Sequence, residues 1–248
     1  MKLQLSEGAM FFRNFFQTLI ISIWAICMAV ASNAHEDDVE FEERIRAFLL
    51  KNPEVILEAM TSLAEREKTA AQSQAIATFP DIFTEIGALG MGDVAAPIRV
   101  VEFFDYRCAP CKAMHPGLVS LVNTTPELRI EMRQLPILSP ASERGARFAL
   151  AVKEVAGLEA YGRVHERLWQ LRGPLNAASF EKVAREETLD WTLIKELMNS
   201  DAVSARIDRN RDIAIALEIL GTPAFVSTNS ITFGQSDINA LAEVWLNQ

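Results

Sequence analysis

The sequence predicts an α/β fold that is interrupted by an inserted helical domain and preceded by an N-terminal helical extension. Three observations carry this expectation. The apolar run from Ile98 to Phe104 leads into Cys108-Ala109-Pro110-Cys111 and a helical stretch, and a second strand pattern follows at Leu128 to Gln134, making a βαβ unit. Residues from about 138 to 218 then read as helix after helix, with no strand pattern among them. Two short β-rich runs and a terminal helix close the chain, so the insertion sits inside the sheet-forming sequence.

The elements begin with a targeting segment. Lys2 and Arg13 supply positive charge, Phe15 to Val30 is almost wholly apolar, and Ala31-Ser32-Asn33-Ala34 ends in small residues, so 1–34 reads as a signal peptide cleaved after Ala34. The competing reading is a retained membrane anchor. Its apolar stretch of sixteen residues, broken by Gln17, Thr18 and Ser22, falls short of the roughly 20 that a spanning helix needs. Lipidation at Cys27 is disfavoured by the bulky Ile26 before it.

Residues 35–78 form the helical extension. A short helix carries Ile45, Phe48 and Leu49 on one face. Asn52-Pro53-Glu54 then starts a second helix, with Asn as cap, Pro at the first helical position and Glu near the positive end of the dipole. Val55, Ile56, Ala59, Met60 and Leu63 give it an apolar stripe, and nothing breaks it before about Ala77. The polar, alanine-rich end from Glu65 to Ala77 reads as an exposed arm. The pair of helices either packs back on the domain or serves association between copies.

Residues 79–248 make the main domain, with its helical insertion at about 138–218. Gly87, Gly90 and Gly92 punctuate an edge strand and turns before Pro97. Ile98 to Phe104 is a buried strand, the helix after Cys111 runs to about Val122, and Leu128 to Gln134 alternates as a half-buried strand does. Ser139-Pro140 opens an alanine-rich helix, and helices follow at Tyr161 to Leu171, Ser179 to Glu186, Trp191 to Asn199 and Ala202 to Leu220. Ala224 to Val226 and Ser230 to Phe233 are strands around a turn at Asn229, and Asp237 to Leu246 is the last helix.

With Cys27 removed, Cys108 and Cys111 are the only cysteines of the mature chain. Disulfides persist outside the cytosol, and a cross-link closing four residues removes little unfolded-chain entropy, so the pair reads as catalytic rather than structural. A zinc site from Cys108, Cys111 and His115 lacks the fourth ligand that a closed structural site needs.

Val101-Glu102-Phe103-Phe104-Asp105-Tyr106-Arg107-Cys108-Ala109-Pro110-Cys111, with Gly221-Thr222-Pro223-Ala224-Phe225, resembles the DsbA-like thiol:disulfide oxidoreductases of bacterial cell envelopes, a thioredoxin-fold family. Leu49 to Val55 resembles the helical extension of the ScsC-like and Com1-like subgroup. The resemblance implies a thiol:disulfide oxidoreductase or isomerase in the periplasm, acting on exported proteins that carry cysteines and reset by a membrane redox partner. It needs no cofactor and no metal.

The physical chemistry agrees with that implication. Cys108 stands at a helix N-terminus, where the dipole and free N–H groups stabilise a thiolate, and so is the attacking sulfur. Cys111, one turn inside, resolves the mixed disulfide. Ala109 and Pro110 keep the motif tight. Glu102, inside an apolar strand, is either a buried acid, whose pKa desolvation raises, or an exposed residue on the polar side of an edge strand; to the buried acid the resemblance gives proton exchange with Cys111. The resemblance also implies a cis Thr222-Pro223 bond that exposes the Thr222 backbone to an extended substrate. Asp105 and Tyr106 flank the site, Pro116 kinks the helix as in thioredoxins, His115 is a partly exposed residue with no chemical role, and His165 and Trp169 pack the insertion. Pro110, standing where the oxidases carry histidine, implies a milder oxidant, and Thr222 is more like the isomerases.

Charge narrows the partners. The whole chain carries −9, and removal of Lys2, Arg13 and Glu7 leaves 22 basic and 32 acidic residues, a balance of 22 − 32 = −10. Such a surface repels phosphate backbones, so nucleic acid is excluded as a partner. A homo-oligomer built through the extension is expected. Two other function classes remain open at this level: a copper- or zinc-binding envelope protein using the same cysteines, and a non-catalytic surface scaffold.

Overall fold

The computed structural model describes residues 40–83 and 89–247. The expected signal peptide, its cleavage point and the anchor alternative lie outside the described residues. Among the described residues no helix is long and apolar enough to cross a membrane. The chain divides into two compact units, Met1–Glu65 and Arg66–Gln248.

In the first unit a helix over residues 40–51 (α1) is followed by α2, Glu54–Ala77, whose end belongs to the second unit. Pro53 forces the break, because it offers no N–H and pushes the residue before it out of helical geometry. Asn52 serves the end of α1 rather than capping α2. Its Nδ2 donates to the Phe48 carbonyl at 2.8 Å, and only its own backbone carbonyl accepts from Val55.

Residues 65–71 of α2 are exposed, as expected of an arm, but the last turns of the helix are partly buried. Ile76 is buried in the core of the second unit, the Ser73 hydroxyl donates to the Asn229 carbonyl, and Gln72 Oε1 accepts from the Ile231 N–H. Gln72 and Ser73 thus serve a sheet edge, where backbone groups lack a strand partner.

A 3₁₀ turn, Pro80–Phe83, precedes the sheet. The strands are β1 (Leu89–Met91), β2 (Ile98–Phe104), β3 (Leu128–Gln134), β4 (Ala224–Val226) and β5 (Ile231–Phe233), in the order β1-β3-β2-β4-β5. Only β2 and β3 are parallel, joined by α3 (Ala109–Thr124) as the βαβ pattern requires. The other pairs, β1 with β3, β2 with β4 and β4 with β5, are antiparallel.

β3 was expected to be half-buried and is buried at all seven positions. It lies between β1 and β2, so its polar residues meet partners instead of water. Arg129 Nε donates to Glu131 at 2.6 Å, and Glu131 also accepts from Arg99. Arg133 reaches Asn210 Oδ1 and the Ile82 carbonyl.

The insertion comprises α4 (Pro140–Gln170), α5 (Ala177–Glu186), α6 (Trp191–Leu197) and α7 (Asp201–Ala216), and α8 (Ile238–Leu246) ends the fold. α4 is two helical pieces across Gly157, whose φ of 80° and ψ of −175° a residue with a side chain rarely adopts. α7 stops four residues before the expected Leu220. Glu218 turns to a φ of 55°, and the Ile219 N–H closes back on the Ala214 carbonyl at 2.7 Å.

Alternation along β2 divides the interior. Val101 and Phe103 pack with Ile213 and Leu217 of the α7 region on one face. Val100 packs under α3 with Met114 and Leu118, and Phe104 joins the cluster that holds Cys108, Cys111 and the insertion. Glu102 lies between Val100 and Phe104 and therefore points to the α3 face.

Candidate active site

Cys108 is the N-cap of α3, with extended φ and ψ of −73° and 111°, and Pro110 occupies the first turn, where a missing N–H costs nothing. Cys108 and Cys111 are joined as a disulfide with their Cα atoms 5.3 Å apart. The Cys111 N–H donates to Cys108 Sγ at 3.1 Å, so a free helix N–H already points at the sulfur that would carry negative charge after reduction. Cys111 itself is fully buried.

The Thr222-Pro223 bond is cis, as expected. It places the Thr222 carbonyl 3.3 Å from Cys108 Sγ, across 114 residues of sequence. Position follows from register. Phe103 pairs with Ala224, so the residues before β4 lie beside the end of β2 and the turn that delivers Cys108.

Glu102 sits on the central strand between Met132 and Phe225, its register partners, and is 2% exposed. Burial pushes its pKa up from 4.5 to about 8. The fold thus puts a proton-holding acid on the face of the sheet that α3 covers, with Cys111 in the first turn of that helix.

The rest of the surroundings is less visible in the sequence. The buried Asp105 carboxylate accepts from the Arg107 N–H at 2.7 Å and from the Ile137 and Leu138 N–H groups, both at 3.1 Å. It ties the turn before Cys108 to the loop after β3. The Asp-x-Arg sequence held a trace of this, because Asp commonly accepts from the N–H two residues on; the link to 137 and 138 is purely tertiary. Asp105→Ala is expected to leave three donors unmatched and to lower stability by about 2–4 kcal/mol. Urea unfolding of the oxidised protein measures this, and a loss below about 0.5 kcal/mol would contradict it.

His115 is buried rather than partly exposed, and its Nε2 is 2.8 Å from Glu166 Oε1. α4 brings His165, Glu166 and Trp169 to this side of α3. Trp169 Nε1 donates to His165 Nε2 at 2.8 Å, and His165 Nδ1 is 2.8 Å from the Tyr106 hydroxyl. An indole N–H can only donate, so His165 Nε2 accepts and the neutral ring carries its proton on Nδ1. Burial, with His115 nearby, holds the His165 pKa well below its ordinary value. The spacing of His165 and Trp169, one helical turn apart, was the signal that could have revealed this contact.

A metal reading through Cys108, Cys111 and His115 does not fit this arrangement. The two sulfurs are bonded to each other, and His115 turns to Glu166. The grouping of possible ligands among the described residues is His115, His165 and Glu166. There both His165 nitrogens are already engaged, by Tyr106 and Trp169.

The family model for the DSBA-like thioredoxin domain matches residues 99–245, which takes in the cysteines, the insertion and the cis-proline. The chain belongs to this family. Residues 37–70 of the DsbA-like chain also match the model for the N-terminal domain of the copper resistance protein ScsC. It is 25% identical over 138 residues to the thiol:disulfide interchange protein DsbA of Bordetella parapertussis, covering 54% of this chain and 64% of that one. It is 27% identical over 153 residues to the Na(+)/H(+) antiporter NhaA 3 of Salinispora tropica, covering 61% of this chain and 23% of the antiporter. The chain thus spans less than two thirds of these relatives' length. Among solved structures it is similar to a linker-deletion mutant of ScsC from Proteus mirabilis, with a TM-score of 0.64 and 25% identity over 85% of this chain and 93% of that one.

Proposed function

We propose that this DsbA-like chain is a periplasmic thiol:disulfide oxidoreductase with isomerase character, acting on exported proteins and reset by a membrane redox partner. The observation that carries the reading is the Cys108–Cys111 disulfide at the N-terminus of α3 with the Thr222 carbonyl 3.3 Å from Cys108 Sγ. A disulfide at a helix start stores two electrons on reduction, and a backbone carbonyl beside it meets the N–H of an extended substrate strand. Cys108 attacks or is attacked, Cys111 resolves, Glu102 exchanges the proton, and Thr222 and Pro223 bind the substrate backbone. The deciding experiment combines two assays on the purified protein: its equilibrium constant with glutathione, and recovery of activity from a scrambled-disulfide enzyme. An isomerase sustains recovery with the protein supplied in reduced form; absence of any exchange with glutathione would remove the reading.

Oligomerisation belongs to the same proposal. In the first unit Phe41, Ile45 and Phe48 on α1, and Ile56, Met60 and Leu63 on α2, are exposed at helical spacing. Apolar side chains on that scale invite a second copy, and copies would gather several Cys108 sulfurs around one substrate. The buried end of α2 sets where a deletion must stop. Removal of residues 35–65 is expected to give a monomer that still exchanges disulfides in model peptides and loses rescue of scrambled substrates. Sedimentation of the intact mature chain as a monomer would overturn this part.

A further inference from the structure

One side of the disulfide is occupied by the Thr222 backbone. A groove of about 730 Å³ runs along α3 and is lined by Lys112, His115, Pro116, Glu166, Trp169 and Arg172, among others. That volume lies in the range of sites that take ligands or peptide segments, roughly 300–1,000 Å³. Neither cysteine lines it, but its nearest lining residue, Lys112, follows Cys111 and donates its N–H to the Cys108 carbonyl at 3.1 Å, and His115 is one turn beyond Cys111.

The charges around it run against the rest of the molecule. Lys112 Nζ donates to the Leu171 carbonyl at 3.0 Å, which fixes the ammonium between α3 and the end of α4, beside the exposed Arg172. Arg107, also exposed, precedes Cys108. Among the described residues, the ion pairs include no carboxylate bound to Arg107, Lys112 or Arg172. The nearby acids are Glu166, which bonds His115 and lines the groove half-exposed, and the buried Asp105, whose carboxylate is held by backbone N–H groups. In a chain of net charge −9, three cations, Arg107, Lys112 and Arg172, therefore stand beside the motif and the groove against these two carboxylates.

We propose that the groove receives an acidic segment of the cysteine-containing substrate, with Lys112 and Arg172 meeting its carboxylates while the reacting cysteine lies over Cys108. This rests on the exchange reading and names its substrate class. Complementary charge steers encounter and raises association rates, and salt screens that attraction beyond a Debye length of about 8–10 Å. Exposed Pro116 and half-buried Val119 give the bound segment an apolar wall as well.

The test uses the full mature chain in its oxidised form and three reduced dithiol peptides that differ only in carrying Asp/Glu, Lys/Arg or Ser/Gln beside the cysteines. A peptide thiolate attacks Cys108 Sγ, the Cys108–Cys111 bond breaks and Cys111 leaves as thiolate. The second peptide thiolate then displaces Cys108, so the peptide is oxidised by two electrons and the protein becomes the dithiol. Rates are read by acid quench, alkylation and mass spectrometry. At low salt the acidic peptide is expected to react about tenfold faster than the basic one, and the ratio is expected to shrink several-fold at about 0.15 M salt. The double variant Lys112→Gln with Arg172→Gln is expected to lose the preference while reacting with the neutral peptide within about twofold of the parent. Exchange with all three peptides at equal rates, or a preference kept by the double variant, overturns the groove and leaves the exchange reading standing. Failure of every peptide to react removes both.

Discussion

Replacing Cys108 by serine is expected to reduce thiol:disulfide exchange to background, whereas Cys111→Ser is expected to accumulate mixed disulfides with substrates. The asymmetry follows from position on α3. Cys108 is the N-cap, its sulfur accepts the Cys111 N–H at 3.1 Å, and the helix dipole adds partial positive charge there. In the reduced protein this N–H and the dipole favour negative charge on Cys108 Sγ, which makes it the expected nucleophile. Cys111 is fully buried and Cys108 is 3% exposed at the helix start, so Cys111 is expected to react only with a disulfide already formed on Cys108. Non-reducing electrophoresis after incubation with a cysteine-containing substrate separates the two cases. Equal trapping by both variants would overturn the assignment, and an unchanged rate in Cys108→Ser would remove the motif from the chemistry.

Much of this site was legible because its signals are local. A strand running into C-x-x-C, a proline in the first turn and a glutamate among apolar strand residues each announce themselves within eleven positions. Thr222 and Pro223 were legible only through resemblance, since nothing in a sequence separation of 114 tells that their backbone returns to Cys108. The errors have a common cause as well. The polar β3 residues and the alanine-rich end of α2 read as solvent-facing because composition carries no account of partners. Arg129 and Glu131 are buried together, and Gln72 and Ser73 meet the β5 edge. His115 was misjudged for the same reason, its partner Glu166 lying 51 residues away on α4. Tertiary pairing converts polarity from a sign of exposure into a means of burial.

Glu102→Gln is expected to change both stability and resolution, with opposite consequences. A carboxyl held at about 8 in the fold against 4.5 when unfolded keeps its proton in the native state over the interval where the unfolded chain has lost it. The parent's stability therefore falls as pH rises from about 4.5 to 8 and is flat beyond, a loss on the order of 4–5 kcal/mol at full ionisation. The amide carries no such term. The variant should match the parent near pH 4 and gain steadily above it, most at pH 9, as read from urea unfolding at each pH. Resolution moves the other way. With a pKa of about 8, roughly a tenth of Glu102 is ionised at pH 7, so its capacity to accept the Cys111 proton rises with pH up to that point. Decay of a preformed mixed disulfide should accelerate toward pH 8 in the parent and be about tenfold slower in the variant, without the pH-dependent limb assigned to Glu102. A variant that gains stability while keeping the parent's decay profile would leave Glu102 a buried acid with no part in the proton transfer. A variant with neither change would place its carboxyl in contact with water and remove the burial argument itself.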